Sequence, residues 1–453
     1  MKILILNAAI VNEGTIAEKD ILVENGLISR IDNDLQHIVA DKVIDASGQY
    51  AIPGVIDDQV HFREPGLTHK ASIGSEARAG VAGGVTSFME MPNTVPNALT
   101  QGLLEDKYQI ASQTSLANYS FYMGASNDNY EEVMKTDPAK ICGIKIFMGS
   151  STGNMLVDAP ETLENLFSNA PTLIAVHCED EATVKARLAQ FKEQFGHHVP
   201  YNIHALIRNE EACYTSSSYA VGLAKRTGAR LHILHISTGD ETHLFEKGVR
   251  KNGKILLENG QEKRITSEAC VHHLWFDEND YKSLGNQIKC NPAIKNEWHK
   301  AQILQSLLDD RIDVIATDHA PHTWEEKQQD YWQAPSGLPL LQHSLPIMLE
   351  FYKQGKISLE RIVEKMSHSV ADCFQIEKRG YIREGYWADL ALVDLQQSVT
   401  VSKDNILYQC GWSPLTGTTF NSVVTHTLVS GHLAYEKGVF HEEKKGQRMS
   451  FVR

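Results

Sequence analysis

The stretch GVIDDQVHFREPG, from Gly54 to Gly66, predicts the fold and the place of its chemistry together. It begins with apolar residues, continues into two acids, and then presents a histidine, an arginine and a proline-glycine turn. A short apolar run bounded by a turn is typical of a buried parallel strand. The polar residues at its carboxyl end, His61 and Arg63 above all, indicate that a reactive site lies where the strand stops.

Seven further apolar runs follow this stretch. They are GVTSFMEM (84–91), NYSFYMG (118–124), GIKIFMG (143–149), TLIAVH (172–177), LHILHIS (231–237), ITSEACV (265–271) and DVIATD (313–318). Most of the intervals between them carry helical patterns, such as ASIGSEARAGVAG and NEEACYTSSSYAVGLAKRTG. Eight β-α units predict an α/β fold in which a closed (β/α)8 barrel of the TIM type spans residues 53–378.

Both ends of the chain differ from this alternating middle. They contain short β-type runs separated by turn residues, such as KILILNAAIV near the beginning and SVVTHTLVSGHLAYEKGVF near the end. We therefore expect residues 1–52 and 379–453 to build one small β-sandwich domain.

Composition and charge exclude several classes of protein. The 453 residues are 42% apolar and 22% charged, which is typical of a globular protein with a sizeable core. The net charge of −14 and the lack of a basic stripe argue against a nucleic-acid partner. No run approaches the roughly 18 apolar residues of a membrane span. The seven cysteines are scattered and form no CxxC pair, so we expect a reducing, cytoplasmic location.

Potential metal ligands stand at the ends of the predicted barrel strands. His61, His177, His235 and Asp318 lie far apart in the sequence, but a barrel would bring them together. Neutral imidazoles and a carboxylate are ligands that suit zinc. One histidine alone carries little weight among 20, whereas three at strand ends with an aspartate form a specific pattern.

Lys145 is unusual because it lies inside the apolar run GIKIFMG. Burying an ammonium group is costly unless the group is paired or neutralised. Two interpretations are open at this point. The side chain could bury its stem and extend its amine to solvent, or the amine could have reacted with CO2 to give a carbamate whose two oxygens bridge two metal ions.

Several motifs together resemble those of the dihydroorotase family of cyclic amidohydrolases. They are DDQVHFREPG, MEMPNT, KCNP and IATDHAPHTWEEK, with REGYWADLALVDL near the end of the chain. The resemblance covers most of the chain. It implies a metal-dependent enzyme of pyrimidine synthesis that interconverts the cyclic amide dihydroorotate and N-carbamoyl-aspartate.

The resemblance also implies roles for individual residues, with one or two zinc ions per chain. His61 and Asp318 would bind the first metal, His177 and His235 the second, and a carboxylated Lys145 would bridge them, while Asp318 would also move the proton. The residues implied in substrate binding are His61, Arg63, Asn93, Asn291, His322 and Gly337, the last through its backbone. Arginine suits the substrate's carboxylate because its planar donors match that group.

The chain departs from the family pattern at Gln59, where the first motif of the family has a histidine. A neutral amide oxygen binds zinc more weakly than an imidazole, so we expect incomplete occupancy of the position served by His61 and Asp318. The position served by His177, His235 and carboxylated Lys145 retains three good ligands, which is enough for a catalytic zinc.

Two alternatives to a dihydroorotase are open. The chain could be another cyclic amidohydrolase, acting on a hydantoin, a dihydropyrimidine or allantoin, although Arg63 and Asn93 argue against a neutral ring. It could also be a non-catalytic homologue that associates with aspartate transcarbamoylase, which Gln59 favours and the retained metal ligands oppose. For partners we therefore expect a small-molecule substrate, with a homodimer and the transcarbamoylase as candidate assemblies. The segment HTWEEKQQDYWQAPSG (322–337) is our candidate for the loop that closes over the substrate.

Overall fold

The computed structural model describes residues 2–149 and 154–453. In chain order its strands are β1 (Lys2–Asn12), β2 (Thr15–Glu24), β3 (Leu27–Asp32), β4 (Lys42–Asp45), β5 (Tyr50–Pro53), β6 (Val55–Val60), β7 (Val85–Glu90), β8 (Asn118–Phe121), β9 (Met123–Gly124), β10 (Ile144–Phe147), β11 (Ile174–His177), β12 (Leu231–Ile233), β13 (Val249–Lys251), β14 (Lys254–Leu256), β15 (Ile265–Cys270), β16 (Val314–Ala316), β17 (Leu390–Asp394), β18 (Val399–Thr400), β19 (Thr419–Phe420), β20 (Val423–Val429), β21 (His432–Glu436) and β22 (Val439–Phe440). The α-helices are α1 (Ile73–Ala82), α2 (Gln101–Thr114), α3 (Tyr130–Met134), α4 (Pro160–Asn169), α5 (Glu181–Phe195), α6 (Ile203–Ile207), α7 (Glu210–Thr227), α8 (Val271–Trp275), α9 (Tyr281–Leu284), α10 (Glu297–Leu308), α11 (Trp324–Lys327), α12 (Ser344–Lys353), α13 (Leu359–Val363) and α14 (Ser369–Phe374).

Parallel strands form a closed barrel in sequence order. Its members are β6, β7, β8 with its continuation β9, β10, β11, β12, β15 and β16. The third strand changes partner at Tyr122, because β8 pairs with β7 and β9 pairs with β10. The barrel closes where Val60 bridges His319 and the His61 N–H donates to the His319 carbonyl at 2.7 Å. Each of the eight predicted apolar runs contains a barrel strand, so the predicted fold class is confirmed.

Two of the predicted helical patterns show why the intervals fold as they do. Helix α1 follows Ser72, whose side chain accepts a hydrogen bond from the backbone N–H of Ser75. Helix α7 begins after Asn209, which caps Ala212 in the same way, and ends at Gly228 in the left-handed conformation. The caps therefore set the ends of these helices. The apolar faces of both helices pack on the barrel.

The β domain is built from both ends of the chain, as predicted. Its strands form one sheet of nine in the order β22-β21-β20-β17-β5-β1-β2-β3, with β4 paired to β1. Strand β1 pairs antiparallel with β2 along its length, and parallel with β4 in its first half and β5 in its second. Because β1 contacts all three, the predicted sandwich is hydrogen-bonded as one continuous sheet. Its core includes Ile3, Ile5, Ile21, Leu390 and Leu428.

A single residue, Gly54, separates strand β5 of this domain from barrel strand β6. A Cβ atom at this position would lie 2.2 Å from the side chain of Thr86, so the close approach requires glycine. The Gly54 N–H donates to the carbonyl of Asp389 at 2.9 Å. The β domain thus positions the first barrel strand directly, and with it His61.

The segment 446–453 leaves the sheet and returns to the barrel. Arg448 bridges Tyr119 at the start of the third barrel strand. The guanidinium of Arg453 donates to the carbonyls of Cys142 and Phe374, at 2.7 Å each. This segment therefore packs on the amino-terminal end of the barrel, although the predicted division of the chain assigned it to the β domain.

Among the described residues, no helix combines the length and apolar character that crossing a membrane needs. All seven cysteines lie within those residues and carry free thiols, six of them buried.

Candidate active site

The carboxyl ends of the barrel strands surround a cavity of about 730 Å³. Every residue that the sequence singled out lines it: Gln59, His61, Arg63, Asn93, Lys145, His177, His235, Asn291, Asp318, His322 and Gly337. They come together because parallel barrel strands all end on one face. The individual roles assigned to them remain predictions.

His61 and Asp318 form the first pair of potential metal ligands. The Nδ1–H of His61 donates to Asn93 Oδ1 at 2.8 Å, which leaves the Nε2 lone pair facing Asp318 Oδ1 at 3.1 Å. Burial lowers the pKa of His61, although Asp318 opposes this shift. A neutral nitrogen and a carboxylate oxygen at this distance suit a cation between them.

His177 and His235 form the second pair. The Nε2–H of His177 donates to Glu179 Oε2 at 2.9 Å, so its Nδ1 faces His235 Nε2, also at 2.9 Å. Burial lowers the pKa of both rings, and each ring is therefore neutral near pH 7. Arg208 and His177 hold the pKa of Glu179 well below its usual range, although burial alone would raise it.

Lys145 lies on β10 and is only 1% exposed, so its amine does not extend to bulk solvent and the first interpretation of this residue is wrong. Its Nζ lies 4.5 Å from the centre of the Phe147 ring. Burial lowers the pKa of Lys145 to about 7. The charge of Lys145 contributes to the lowered pKa values of His61, His177 and His235, which places its amine near both pairs.

Gln59 presents its amide nitrogen, and not its oxygen, to the first pair. Nε2 of Gln59 donates to Asp318 Oδ1 at 3.2 Å, while Oε1 lies 3.9 Å from the sulfur of Cys270. In this arrangement Gln59 acts as a hydrogen-bond donor to a potential metal ligand.

Arg63 supplies buried positive charge to the cavity. Its Nε donates to the carbonyl of Pro321 at 3.0 Å, and Nη2 lies 3.1 Å from His322 Nε2. Burial lowers the pKa of Arg63 to about 10, so the guanidinium stays charged at neutral pH. Lys70 also lines the cavity, donates to His322 Nδ1 at 3.0 Å and pairs with Glu326 at 3.0 Å.

His322 is neutral, because burial and the charge of Arg63 lower its pKa to about 3. Nε2 of His322 lies 3.0 Å from the carbonyl of Ser336. The residue therefore joins two cations of the cavity to the segment that precedes Gly337.

Asn291 and Gly337 also line the cavity. Asn291 Oδ1 lies 3.2 Å from His204 Nε2. A Cβ atom at Gly337, where φ is +133°, would lie 2.4 Å from the carbonyl of Ala320, so only glycine fits. The Gly337 N–H donates to the Lys289 carbonyl and its own carbonyl accepts from Lys327 Nζ, at 2.8 Å each, so a substrate could use only the second lone pair of that carbonyl.

Three residues of the site have left-handed backbone conformations that non-glycine residues rarely adopt. The φ angles are +67° at Arg63, +40° at His235 and +47° at Asp318. Such strain is found at functional sites, where the surrounding structure maintains it.

Sequence reasoning missed Glu179 and Lys70. Glu179 carries a signal, since it follows His177 by two residues in HCED and can orient that ring. Lys70 carries none, because its place beside His322 depends on a contact across 252 residues.

Comparisons with known proteins identify the family. A model of the amidohydrolase family matches residues 50–434. The chain belongs to the amidohydrolase family.

Curated relatives of this amidohydrolase include dihydroorotases. That of Halobacterium salinarum is 31% identical over 382 residues, covering 83% of this chain and 84% of the relative. That of Methanosarcina acetivorans is 30% identical over 420 residues, covering 91% and 88%. The predicted resemblance to dihydroorotases is therefore confirmed.

Solved structures similar to this amidohydrolase include the L-hydantoinase (dihydropyrimidinase) of Arthrobacter aurescens, with a TM-score of 0.91 and 26% identity over 99% of both chains. The dihydropyrimidinase of Brevibacillus agri shares the fold, with a TM-score of 0.86 over the whole of both chains. The family match and these relatives together show that the chain is a metal-dependent cyclic amide hydrolase.

The residues present fit the metal that the family implies. The two pairs described above offer three neutral imidazole nitrogens and a carboxylate oxygen to one cavity. These donor types are the ones that zinc prefers, and Asn93 and Glu179 hold two of the rings in the tautomer that a ligand needs.

Proposed function

We propose that this amidohydrolase is a dihydroorotase, which catalyses the reversible hydrolysis of (S)-dihydroorotate to N-carbamoyl-L-aspartate in pyrimidine biosynthesis. The observation that carries the proposal is the charged guanidinium of Arg63 in the cavity, with Lys70 beside the same histidine. Two cationic side chains that line one cavity favour an anionic substrate. Dihydroorotate differs from neutral cyclic amides by its carboxylate.

The protein groups divide the work of ring opening between binding and proton transfer. Arg63 holds the carboxylate, and Asn291 and Gly337 hold the ring. Asp318 takes the proton from the attacking water and delivers it to the ring nitrogen that leaves, as a general base and then a general acid. Bound zinc would supply a nucleophile at neutral pH and polarise the amide carbonyl.

Zinc binding is proposed at one or two positions per chain, held by His61, Asp318, His177 and His235. We further propose that Lys145 is N6-carboxylated, so that it contributes two oxygens between these positions. The reaction joins the amine nitrogen to the carbon of CO2 and releases one proton. A pKa of about 7 supports it, because much of the amine is then neutral at physiological pH.

A hydrolase of neutral rings is the second candidate, and the similarity to the hydantoinase structure favours it. Such a substrate would leave the charge of Arg63 without a partner from the ligand. A non-catalytic homologue is less well supported, because all five retained ligands line one cavity.

The test compares substrates in the wild type and in Arg63→Met. A charge-assisted hydrogen bond contributes about 1.5–3 kcal/mol, so kcat/KM for dihydroorotate should fall by about 10- to 100-fold. Hydrolysis of dihydrouracil, if the enzyme performs it, should change far less. Arg78→Met, an exposed arginine paired with Glu442, is the matched control and should leave both rates unchanged.

Equal losses on both substrates would show that Arg63 does not bind the carboxylate. A wild type that prefers dihydrouracil or hydantoin would replace the proposal by the second candidate.

The proposal also includes a cytoplasmic location and assembly as a homodimer or with aspartate transcarbamoylase. Light scattering of the purified protein, alone and mixed with the transcarbamoylase, measures both assemblies.

A further inference from the structure

Below the active-site cavity, three titratable residues meet inside the barrel. They are Asp58 on β6, His232 on β12 and Glu268 on β15, and each is 0% exposed. Nε2 of His232 lies 3.2 Å from Asp58 Oδ2 and 3.6 Å from Glu268 Oε2. We call these residues the buried triad; they lie outside the set that lines the cavity.

The other ring nitrogen of His232 determines which tautomer faces the carboxylates. Nδ1 lies 2.8 Å from the hydroxyl oxygen of Thr266, and that hydroxyl donates to the Leu231 carbonyl at 3.3 Å. The hydroxyl can therefore only accept from Nδ1–H. In the neutral ring the lone pair of Nε2 would face two carboxylates, and a proton or a metal ion bound at Nε2 would remove this repulsion.

The side chains alone can offset this burial only with protons: the two carboxylates raise the pKa of His232 to about 9 against the effect of burial, and burial raises the pKa of Glu268 to about 8. Among the described residues, both side-chain oxygens of Asp58, Oε2 of Glu268 and Nε2 of His232 have no hydrogen-bond partner. Buried polar atoms without partners are rare and costly, and buried carboxylates need a compensating charge. The triad therefore needs a compensating cation, which is either a bound metal ion or a proton on His232.

The distances match a divalent metal ion. Zinc bonds of about 2.0 Å in tetrahedral geometry place neighbouring ligand atoms about 3.3 Å apart, close to the 3.2 and 3.6 Å observed. A divalent ion also balances both carboxylates, a balance that the side chains alone reach only with protons on both His232 and Glu268. Thr266 would serve as the outer partner that holds the ligand ring.

We propose that the buried triad is a structural metal site for zinc or a similar divalent ion, separate from the catalytic positions. The ion would tie together three barrel strands that are far apart in sequence. It would also support the active site, since Glu268 Oε1 accepts from the His235 N–H at 2.8 Å, where the backbone is left-handed. The proposal does not depend on the substrate of the enzyme.

The first test is crystallographic and needs no variant. The full-length protein is loaded with excess zinc and diffraction is recorded at the zinc absorption edge. We expect an anomalous peak about 2.0–2.2 Å from Asp58 Oδ2, His232 Nε2 and Glu268 Oε2. Density that shows no metal among these three atoms would overturn the proposal and leave a proton as the bound cation.

The second test measures metal content in solution. His61→Ala/His177→Ala removes a ligand from each catalytic pair, and after dialysis against a chelator it should retain about one zinc per chain. Adding Asp58→Asn should reduce this to near zero. Adding Glu241→Gln should not, because Glu241 is a buried carboxylate with its own donors, Ser217 and Thr238, outside the triad.

Retention of the zinc in the Asp58→Asn background, or its absence from the double variant, would contradict the site. If a variant fails to fold, the anomalous density of the wild type decides. Neither readout uses activity, so a failure of the dihydroorotase proposal would be seen separately in the turnover assay.

Discussion

At the scale of single residues, Gln59 shows how one side chain can reduce the availability of a neighbouring carboxylate oxygen to a metal ion. Its amide N–H donates to Asp318 Oδ1 and so occupies an oxygen that a metal would use. Gln59→His should remove this donor and supply an imidazole ligand. We expect metal bound at the position of His61 and Asp318 to increase, measured as metal per chain and as anomalous density there.

Gln59→Met is the control, because it removes the donor without adding a comparable ligand. Metal content that is unchanged in Gln59→His, or that rises equally in both variants, would show that Gln59 does not limit occupancy.

Lys145 should make reconstitution of the enzyme depend on pH and on CO2. Its pKa is lowered to about 7, so the amine is mostly neutral above this pH and mostly charged below it. Only the neutral amine reacts with CO2. Zinc-dependent recovery of activity from apoprotein should therefore be faster with bicarbonate, and at a constant concentration of dissolved CO2 the rate should fall by about tenfold between pH 8 and pH 6.

Lys145→Arg is the matched control, since a guanidinium stays charged and cannot form the carbamate. The proposal for Lys145 fails if recovery is indifferent to bicarbonate at pH 8, or if the Lys145→Arg variant responds in the same way.

At the scale of elements, the segment 446–453 acts as a strap across the amino-terminal end of the barrel. Met449 and Phe451 are buried in the core there. Each buried side chain of this size contributes about 1.5–3 kcal/mol, so deleting residues 447–453 should lower the free energy of unfolding by more than about 3 kcal/mol. Urea denaturation measures the change.

Val452→Ala, which alters a side chain that is 65% exposed, should change stability by less than about 0.5 kcal/mol. A deletion variant as stable as the wild type would mean that the strap adds nothing to the fold.

At the scale of the whole molecule, a buried carboxylate of the β domain, Asp389, joins this domain to the barrel. Asp389 pairs with Arg379 and also accepts from Asn118 Nδ2 at 2.9 Å and the Ser430 N–H at 2.7 Å. Asn118 belongs to the barrel and Ser430 to the β domain. Asp389→Ala leaves a buried guanidinium without its partner, so we expect a loss of about 3–5 kcal/mol in urea denaturation.

Glu442→Ala breaks the exposed pair with Arg78 and should cost less than about 1 kcal/mol. Similar small effects of both substitutions would show that the junction between the domains does not depend on this pair.

Much of this architecture could be predicted from local patterns. The eight barrel strands were visible because strands buried on both faces are continuously apolar, and that property belongs to each segment alone. The residues that line the cavity were visible for a related reason. Polar residues such as His61, His177 and Asp318 directly follow apolar runs, and parallel strands end on one face whatever their exact register.

The secondary-structure elements, and the barrel face that carries the functional residues, thus follow from local sequence patterns. Which polar atoms meet depends on the register between strands that are distant along the chain, and only packing of the whole chain fixes that register. Asp57 and Asp58 are adjacent aspartates that the sequence alone does not distinguish. Asp57 accepts hydrogen bonds from backbone N–H groups, whereas Asp58 faces His232, 174 residues away. The orientation of the Gln59 amide and the return of the last residues to the barrel also depend on residues that are distant in the sequence. No local pattern of apolar and polar residues predicts such contacts.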